Sequence, residues 1–340
     1  TAYSSDSHCT RIAPRAIYPL AMASVPVVVV AGATGAVSGQ VVKRLSDAGR
    51  SVVAMSRGSG GVRTEARRSA DVDLESLPGV EVVVADMAQL PSISRAFAGR
   101  SIDGALLLCA NFEGQLEAEK AFIEACVAAS VPYVVKISTW SCYIDEGLEI
   151  RYAQWHGEIE RALVASGLSF TSLRPCWFQQ NLGRGANLPE LRDTGRFAHP
   201  SNTAPARMVD ARDVGDVAAA LLLLPAEERA LHIGRYYNVC GPEAWSMSDV
   251  AALIAQSGRQ AESEVISLEE MVGVSLGAGD ALDWHARSQL VGWRDCWSKG
   301  KFNTPSSPEV LELCPPRRTV PQWIAENMPE MLQPQPSSPL

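Results

Sequence analysis

From residue 27 to residue 31 every position is apolar: Val27, Val28, Val29, Val30 and Ala31. Glycines then interrupt the chain at Gly32, Gly35 and Gly39, after which Val41, Val42, Leu45 and Ala48 recur at i, i+1, i+4 and i+7. An unbroken β-branched run predicts a strand buried on both faces, and the second spacing predicts an amphipathic helix. The same alternation continues. Strands are predicted at Ser51–Ser56, Val80–Ala85, Gly104–Cys109, Val131–Ser138 and Leu168–Leu173. Helices are predicted at Gln89–Ala98, at Gln115–Ala129 with Ala118, Ala121, Phe122 and Ala125 on one face, and at Arg151–Ser166, stopped by Gly167. Continuously apolar strands alternating with helices imply a parallel sheet covered on both sides. Right-handed crossovers make it a doubly wound α/β fold.

After Arg174-Pro175 the alternation weakens, and residues 177–205 are rich in Gly, Asn, Pro and Arg. A helix at Asp213–Leu224, a strand at Tyr236–Cys240 closed by Gly241-Pro242, and a helix at Ser246–Ser257 capped by Ser246 follow. Beyond them come a short strand at Glu264–Ile266 and a helix at Leu268–Leu276. Trp245, Trp284, Trp293, Trp297 and Trp323 concentrate in this half and read as the packing core of a small lid rather than as a stacking site. The predicted organisation is an N-terminal extension (1–24), a nucleotide-binding domain (25–175, with later returns near 204–240), a mainly substrate-binding α/β lid (176–330) and a Pro/Ser-rich disordered tail (331–340).

A chain of 340 residues has room for one large or two unequal domains. The net charge of −8, with no long basic block, argues against nucleic acid and anionic membrane surfaces as partners. No apolar run approaches the ~20 residues needed to span a bilayer. The eight cysteines stand singly, without a C-x-x-C pair or a Cys/His cluster at metal spacing. Neither a disulfide framework nor a metal site is expected, and a reducing compartment fits best. The reading is cytoplasmic. An organelle is the alternative if residues 1–24 are the remnant of a transit peptide.

The glycine turn carries the first chemistry. Between a strand and a helix, Gly32 permits a tight turn and Gly35 lets the backbone approach a pyrophosphate, which the helix N-terminus attracts. Ser38 stands where a third glycine is usual. At the end of the second strand a dinucleotide site selective for NAD places an acid. Here Ser56-Arg57 occupies that position, and Arg63, Arg67 and Arg68 follow. A guanidinium suits a 2′-phosphate, so NADP(H) is preferred, with NAD(H) as the alternative. Asp86, followed by Met87, is placed to contact adenine or to cap the next helix. Cys109, Ala110 and Asn111 end the fourth strand, and Ser138, Thr139 and Trp140 end the fifth, all at the ligand-binding edge, with Trp140 a candidate wall of the substrate pocket.

Tyr152 and His156 lie four residues apart on one helix face. They are either a proton donor with a cationic neighbour or ordinary pocket-lining residues. Pro175 breaks the sixth strand, and Trp177, Phe178 and Asn181 after it are placed to wall a nicotinamide and a substrate, or to fill core. The expected partner is a small molecule, and the chain is read as a monomer or homodimer.

Taken together, these residues resemble the NmrA-like branch of the atypical short-chain dehydrogenase/reductases. The resemblance runs through Gly32–Gly35, Val134–Ser138, His156–Glu160, Ser166–Leu168, Leu173–Pro175, Phe178–Asn181, Asp210–Val214 and Tyr237–Pro242. It implies a Rossmann domain with a small C-terminal substrate domain. Thr34, Gly35, Ala36 and Val37 would cover the pyrophosphate of NADP(H), Arg57 would meet the 2′-phosphate, and Ser138 would lie near the nicotinamide. The family includes NAD(P)H-dependent quinone and azo reductases as well as cofactor-binding regulators without turnover. The superfamily's Tyr-x-x-x-Lys is replaced here by Tyr152-x-x-x-His156. That departure fits reduction of a conjugated acceptor needing little acid catalysis, with Tyr152, His156 and Ser138 as candidate catalytic residues. It also fits a non-catalytic sensor, the alternative reading.

Overall fold

A computed structural model describes residues 25–57, 73–183, 187–199, 204–256, 261–271 and 283–333. Seven strands form one parallel sheet in the order β3-β2-β1-β4-β5-β6-β8. They are β1 (Val27–Val30), β2 (Ser51–Ser56), β3 (Val80–Val84), β4 (Ile102–Leu107), β5 (Val134–Ile137), β6 (Phe170–Pro175) and β8 (Arg235–Val239). β7 (Arg196–His199) pairs in parallel with β9 (Glu262–Val265) in a separate small sheet. Chain order reverses between β1 and β4, which opens a crevice at their carboxyl ends, where doubly wound sheets bind ligands.

The helices are α1 (Ala36–Asp47), α2 (Leu90–Phe97), α3 (Gln115–Ala128), α4 (Ser141–Asp145), α5 (Arg151–Ser166), α6 (Asn187–Thr194), α7 (Ala211–Leu223), α8 (Ala226–Arg229) and α9 (Met247–Gln256). Further helices cover Asp283–Gly292, Pro308–Leu313 and Val320–Met331. Strand alternation sends Val28 and Val30 into a core with Val41, Leu45, Val214 and Leu221. Val29 and Ala31 enter the opposite core with Phe122, Ile159 and Leu163. Each fully buried Val or Leu of these layers contributes about 1.5–3 kcal/mol. Because both faces are covered, the strands read as unbroken apolar runs.

Helices α1 and α7 touch backbone to side chain. A Cβ on Gly215 would sit 2.7 Å from the Val37 carbonyl oxygen and 2.7 Å from the Gln40 Cβ. Asp216, one residue on, accepts from Gln40 Nε2 at 2.6 Å, Arg44 Nε at 2.7 Å and Arg318 at 2.9 Å. The expected Ser246 cap is present: its hydroxyl accepts from the Asp249 N–H, and Asp249 answers at the Ser246 N–H.

Several boundaries differ from expectation. β5 starts at Val134, after Pro132 and Tyr133 rather than before them. In α3, Gln115 and Glu119 are buried along with Ala118, Phe122 and Ala125, so its inward face is partly polar. The helix expected at Leu268–Leu276 is seen over residues 268–271, and the rest of it lies outside the described residues. Outside them too are residues 1–24, Arg63, Arg67, Arg68 and residues 334–340. Among the described residues no helix is long and apolar enough to cross a membrane.

One cysteine expectation is overturned. Cys142 in α4 is disulfide-bonded to Cys296, which lies in the π-helical turn Trp293–Trp297. The two are 154 residues apart, so tertiary packing alone creates the pair and no local spacing announces it. Cys109, Cys126, Cys176, Cys240 and Cys314 are free.

Candidate active site

The turn between β1 and α1 is shaped to receive an anion. Gly32 sits at φ +60°, in left-handed space, and a Cβ there would lie 3.4 Å from the Leu108 carbonyl oxygen. Gly35 is the N-cap of α1 and offers no side-chain cap, so the chain itself leaves the first-turn N–H groups to another partner. Gly32, Thr34 and Gly35 are exposed, Ala36 is half-buried, and Ala33 and Val37 are buried beneath them. Ser38, the departure from the usual glycine pattern, is fully buried, and its hydroxyl donates to the Ala31 carbonyl at 2.9 Å. That bond ties the helix to the strand end.

Arg57 is exposed at the end of β2, beside half-buried Ser56. Asp86 does not cap α2, whose N-cap is Gln89 and carries no side-chain bond. Its carboxylate accepts from the Ala88 N–H at 3.0 Å within the turn that precedes α2, and Met87 is buried below it. Ala110 and Asn111 are exposed at the end of β4, and Cys109 is half-buried. Burial and the charge of Glu119 push the Cys109 thiol up to about 12, so it is not a thiolate nucleophile.

Under this edge lies a polar cluster that sequence reasoning missed. Lys136 of β5 and Glu119 of α3 are fully buried and form an ion pair at 2.5 Å. Lys136 Nζ also donates to the Ile137 carbonyl at 2.6 Å. Gln115 Nε2 donates to Glu119 Oε1 at 3.0 Å and lies 3.2 Å from His156 Nε2. The Ser138 hydroxyl and His156 Nδ1 are buried without a hydrogen-bond partner. The available signals were a lysine inside an apolar strand run and an acid on the inward face of α3.

Tyr152 and His156 share α5 but meet different neighbours. His156 turns inward to Gln115, and burial together with the Lys136 charge pulls its pKa well below the usual imidazole value. Tyr152 is half-buried and packs edge-on against Tyr143 at 6.2 Å and tilted against His285 at 6.1 Å. Burial raises its phenol pKa, opposed only by the hydrogen bond with Tyr143. A shallow groove of about 290 Å3 on the outer side of α5 is walled by the Arg174–Glu160 pair.

Trp140 and Trp177, two of the aromatic residues foreseen as pocket walls, belong to one cluster. Trp140 stacks on Phe302 at 5.9 Å, Phe302 lies 4.9 Å from Trp297, and Trp297 meets Trp177 edge-on at 5.4 Å. Trp140 is 2% exposed, and its indole N–H has no partner. Trp177, Phe178 and Asn181 are half-buried, and Pro175 closes β6 beside Val239. Among the described residues no group of three or more His, Cys, Asp or Glu side chains is placed to hold a metal ion.

Known proteins resemble this chain in sequence and in fold. The chain is 28% identical to the NAD(P)H azoreductase of Xenophilus azovorans over 253 residues, covering 74% of this chain and 81% of the relative. It is 32% identical over 229 residues to the (4-alkanoyl-5-oxo-2,5-dihydrofuran-3-yl)methyl phosphate reductase of Streptomyces griseus, covering 67% and 73%. In fold it superposes on Citrobacter sp. triphenylmethane reductase complexed with NADP(H), at a TM-score of 0.68 and 19% identity over 88% of this chain and 99% of that one. The NADPH-dependent quinone oxidoreductase of Escherichia coli in complex with NADPH gives a TM-score of 0.69 at 21% identity, over 89% and 99%. The profile of the NmrA-like family matches residues 25–293, and the chain belongs to that family.

Proposed function

We propose that this protein is an NADPH-dependent reductase of a small conjugated acceptor, of the quinone, azo or enone/imine kind. The observation that carries the reading is the pairing of an uncapped, glycine-lined α1 N-terminus with an exposed Arg57 at the end of β2. The first suits a pyrophosphate, and the second suits a 2′-phosphate. Gly32, Thr34, Gly35, Ala36 and Val37 would hold the pyrophosphate, with Ser56 and Arg57 at the ribose phosphate. Asp86 and Met87 would flank the adenine, and Cys109, Ala110, Asn111, Ser138 and Pro175 would line the nicotinamide end. When bound, the cofactor supplies hydride.

The chain's own contribution is positioning and water exclusion by Trp140, Trp177, Phe178 and Asn181. A phenol raised by burial, with no lysine four residues on, makes Tyr152 a weak acid. A conjugated acceptor suits such a site, because delocalisation already stabilises the reduced anion. The similarity to an azoreductase and a furanone phosphate reductase supports the reductase class.

NADPH consumption measured against a panel of quinones and azo dyes tests the reading, and binding of NADPH without turnover of any acceptor would overturn it. Arg57→Asp should weaken NADPH by about 10- to 100-fold, as expected for one charge-assisted phosphate contact, and leave NADH nearly unchanged. Equal losses for both cofactors would remove Arg57 from the phosphate. One observation favours a second reading, a cofactor-binding regulator without turnover: Trp140, Phe302 and Trp297 pack tightly where an acceptor would enter.

A further inference from the structure

The buried cluster beneath the β4–β5 edge does more than fill space. An ion pair fully withdrawn from water is a poor source of stability, since desolvation consumes most of the attraction. Lys136 and Glu119 nevertheless replace apolar residues in the core layer that contains Val134, Phe122 and Ile159. What the pair does is fix a direction. Glu119, held by Lys136, presents Oε1 as an acceptor, so the group of Gln115 that meets it at 3.0 Å is the amide NH2. That same nitrogen stands 3.2 Å from His156 Nε2. An N–H facing a ring nitrogen requires a lone pair there, so the single ring proton belongs on Nδ1. Turning the Gln115 amide over would break its bond to Glu119.

His156 Nδ1 is buried and has no partner, in a residue only 4% exposed. The Ser138 hydroxyl is in the same condition, 7% exposed and unpartnered. Ser138 lies two residues past Lys136 and so on the same side of the strand. Ser138 at the end of β5 and His156 on α5 are thus both buried and unpartnered, as is Gln115 Oε1 between Glu119 and His156, and such groups call for a ligand that completes them.

We propose that Lys136, Glu119 and Gln115 form a positioning chain that holds His156 with its proton on Nδ1, as a hydrogen-bond donor to an acceptor oxygen that turns anionic on reduction. This rests on the reductase reading above. Hydride supplied by the bound cofactor would form a C–H bond on a quinone- or enone-type acceptor, and the displaced π pair would move to the acceptor's oxygen as its negative charge. Solvent water then supplies the proton, and His156 never gives up its own. The groups brought to His156 are Gln115 and Glu119 from α3 and Lys136 from β5. Glu160, four residues on in α5, is engaged by Arg174 and Ser172, and His285 packs on Tyr152. The Lys136 charge and burial both keep the imidazole neutral.

Nitrogen-15 NMR of histidine-labelled full-length protein tests this, with the His156 signal assigned by its loss in His156→Gln. The expected result is a protonated Nδ1 and a bare Nε2. In Gln115→Leu the tautomers should mix, and kcat toward a quinone should fall roughly 10-fold while KM for NADPH holds. The paired variant Lys136→Met/Glu119→Gln, which removes both charges at similar volume, should do the same if Gln115→Leu does not fold. A proton on Nε2 in the unmodified protein, or an unchanged tautomer in the variants, would overturn the proposal. Failure to bind NADPH, seen by tryptophan fluorescence, would instead sink the reductase reading while the tautomer signal still decides the positioning chain.

Discussion

His156 illustrates how one side chain's surroundings set its chemistry. Burial and the Lys136 charge both disfavour its cationic form, so its pKa in the folded chain lies well below the unfolded value near 6.5. Below that pH the unfolded chain takes up a proton that the folded chain refuses. The stabilisation is therefore fully present above about pH 6.5 and is lost as the pH falls, by up to about 1.4 kcal/mol per unit. His285, also lowered by burial, acts in the same direction. Thermal midpoints should drop between neutral pH and pH 5.5, and His156→Gln should flatten that slope. An identical slope in the variant would show that His156 titrates normally. The residue scale is also where the sequence was least legible. Lys136 sits in a segment whose neighbours are all apolar, and nothing local says that an acid from α3 waits opposite it.

At the scale of elements, legibility was much better. β2 and α5 coincide with their expected limits, because a run with both faces buried and a helix closed by glycine are local signals. The glycine turn was readable for the same reason: strand, turn and helix are contiguous in the chain. The aromatic cluster was not. Trp140 was foreseen as a pocket wall, and Phe302 and Trp297 reach it only through tertiary packing. The contact between α1 and α7 lies between these cases. A helix was expected over Asp213–Leu224 and α7 begins two residues earlier, capped by Asp210, but the need for Gly215 emerges only when Val37 approaches it. Gly215→Ala should separate the two helices, costing about 1–3 kcal/mol in denaturant unfolding as overpacked cores do. It should also weaken NADPH binding, since Val37 belongs to the first turn of α1. An unaltered unfolding midpoint would mean that the helices give way at no cost.

Across the whole molecule, the C-terminal segment returns to the back of the glycine turn. Arg318 bonds to Asp213 and Asp216, and Asp213 also accepts from the Arg317 and Arg318 backbone N–H groups. The end of the chain thus braces the first helix through α7. Cys142–Cys296 makes a second long-range tie, between the segment following β5 and the tryptophan-bearing π turn. It closes a covalent ring spanning 154 positions of sequence, which includes β6, α7 and β8. Cutting one peptide bond within that ring opens it without dividing the molecule. A protease cleaving once between residues 142 and 296 should leave a single band on a non-reducing gel and two bands after a thiol reductant is added. Two bands in both lanes would show that the two sulfurs are not joined in solution.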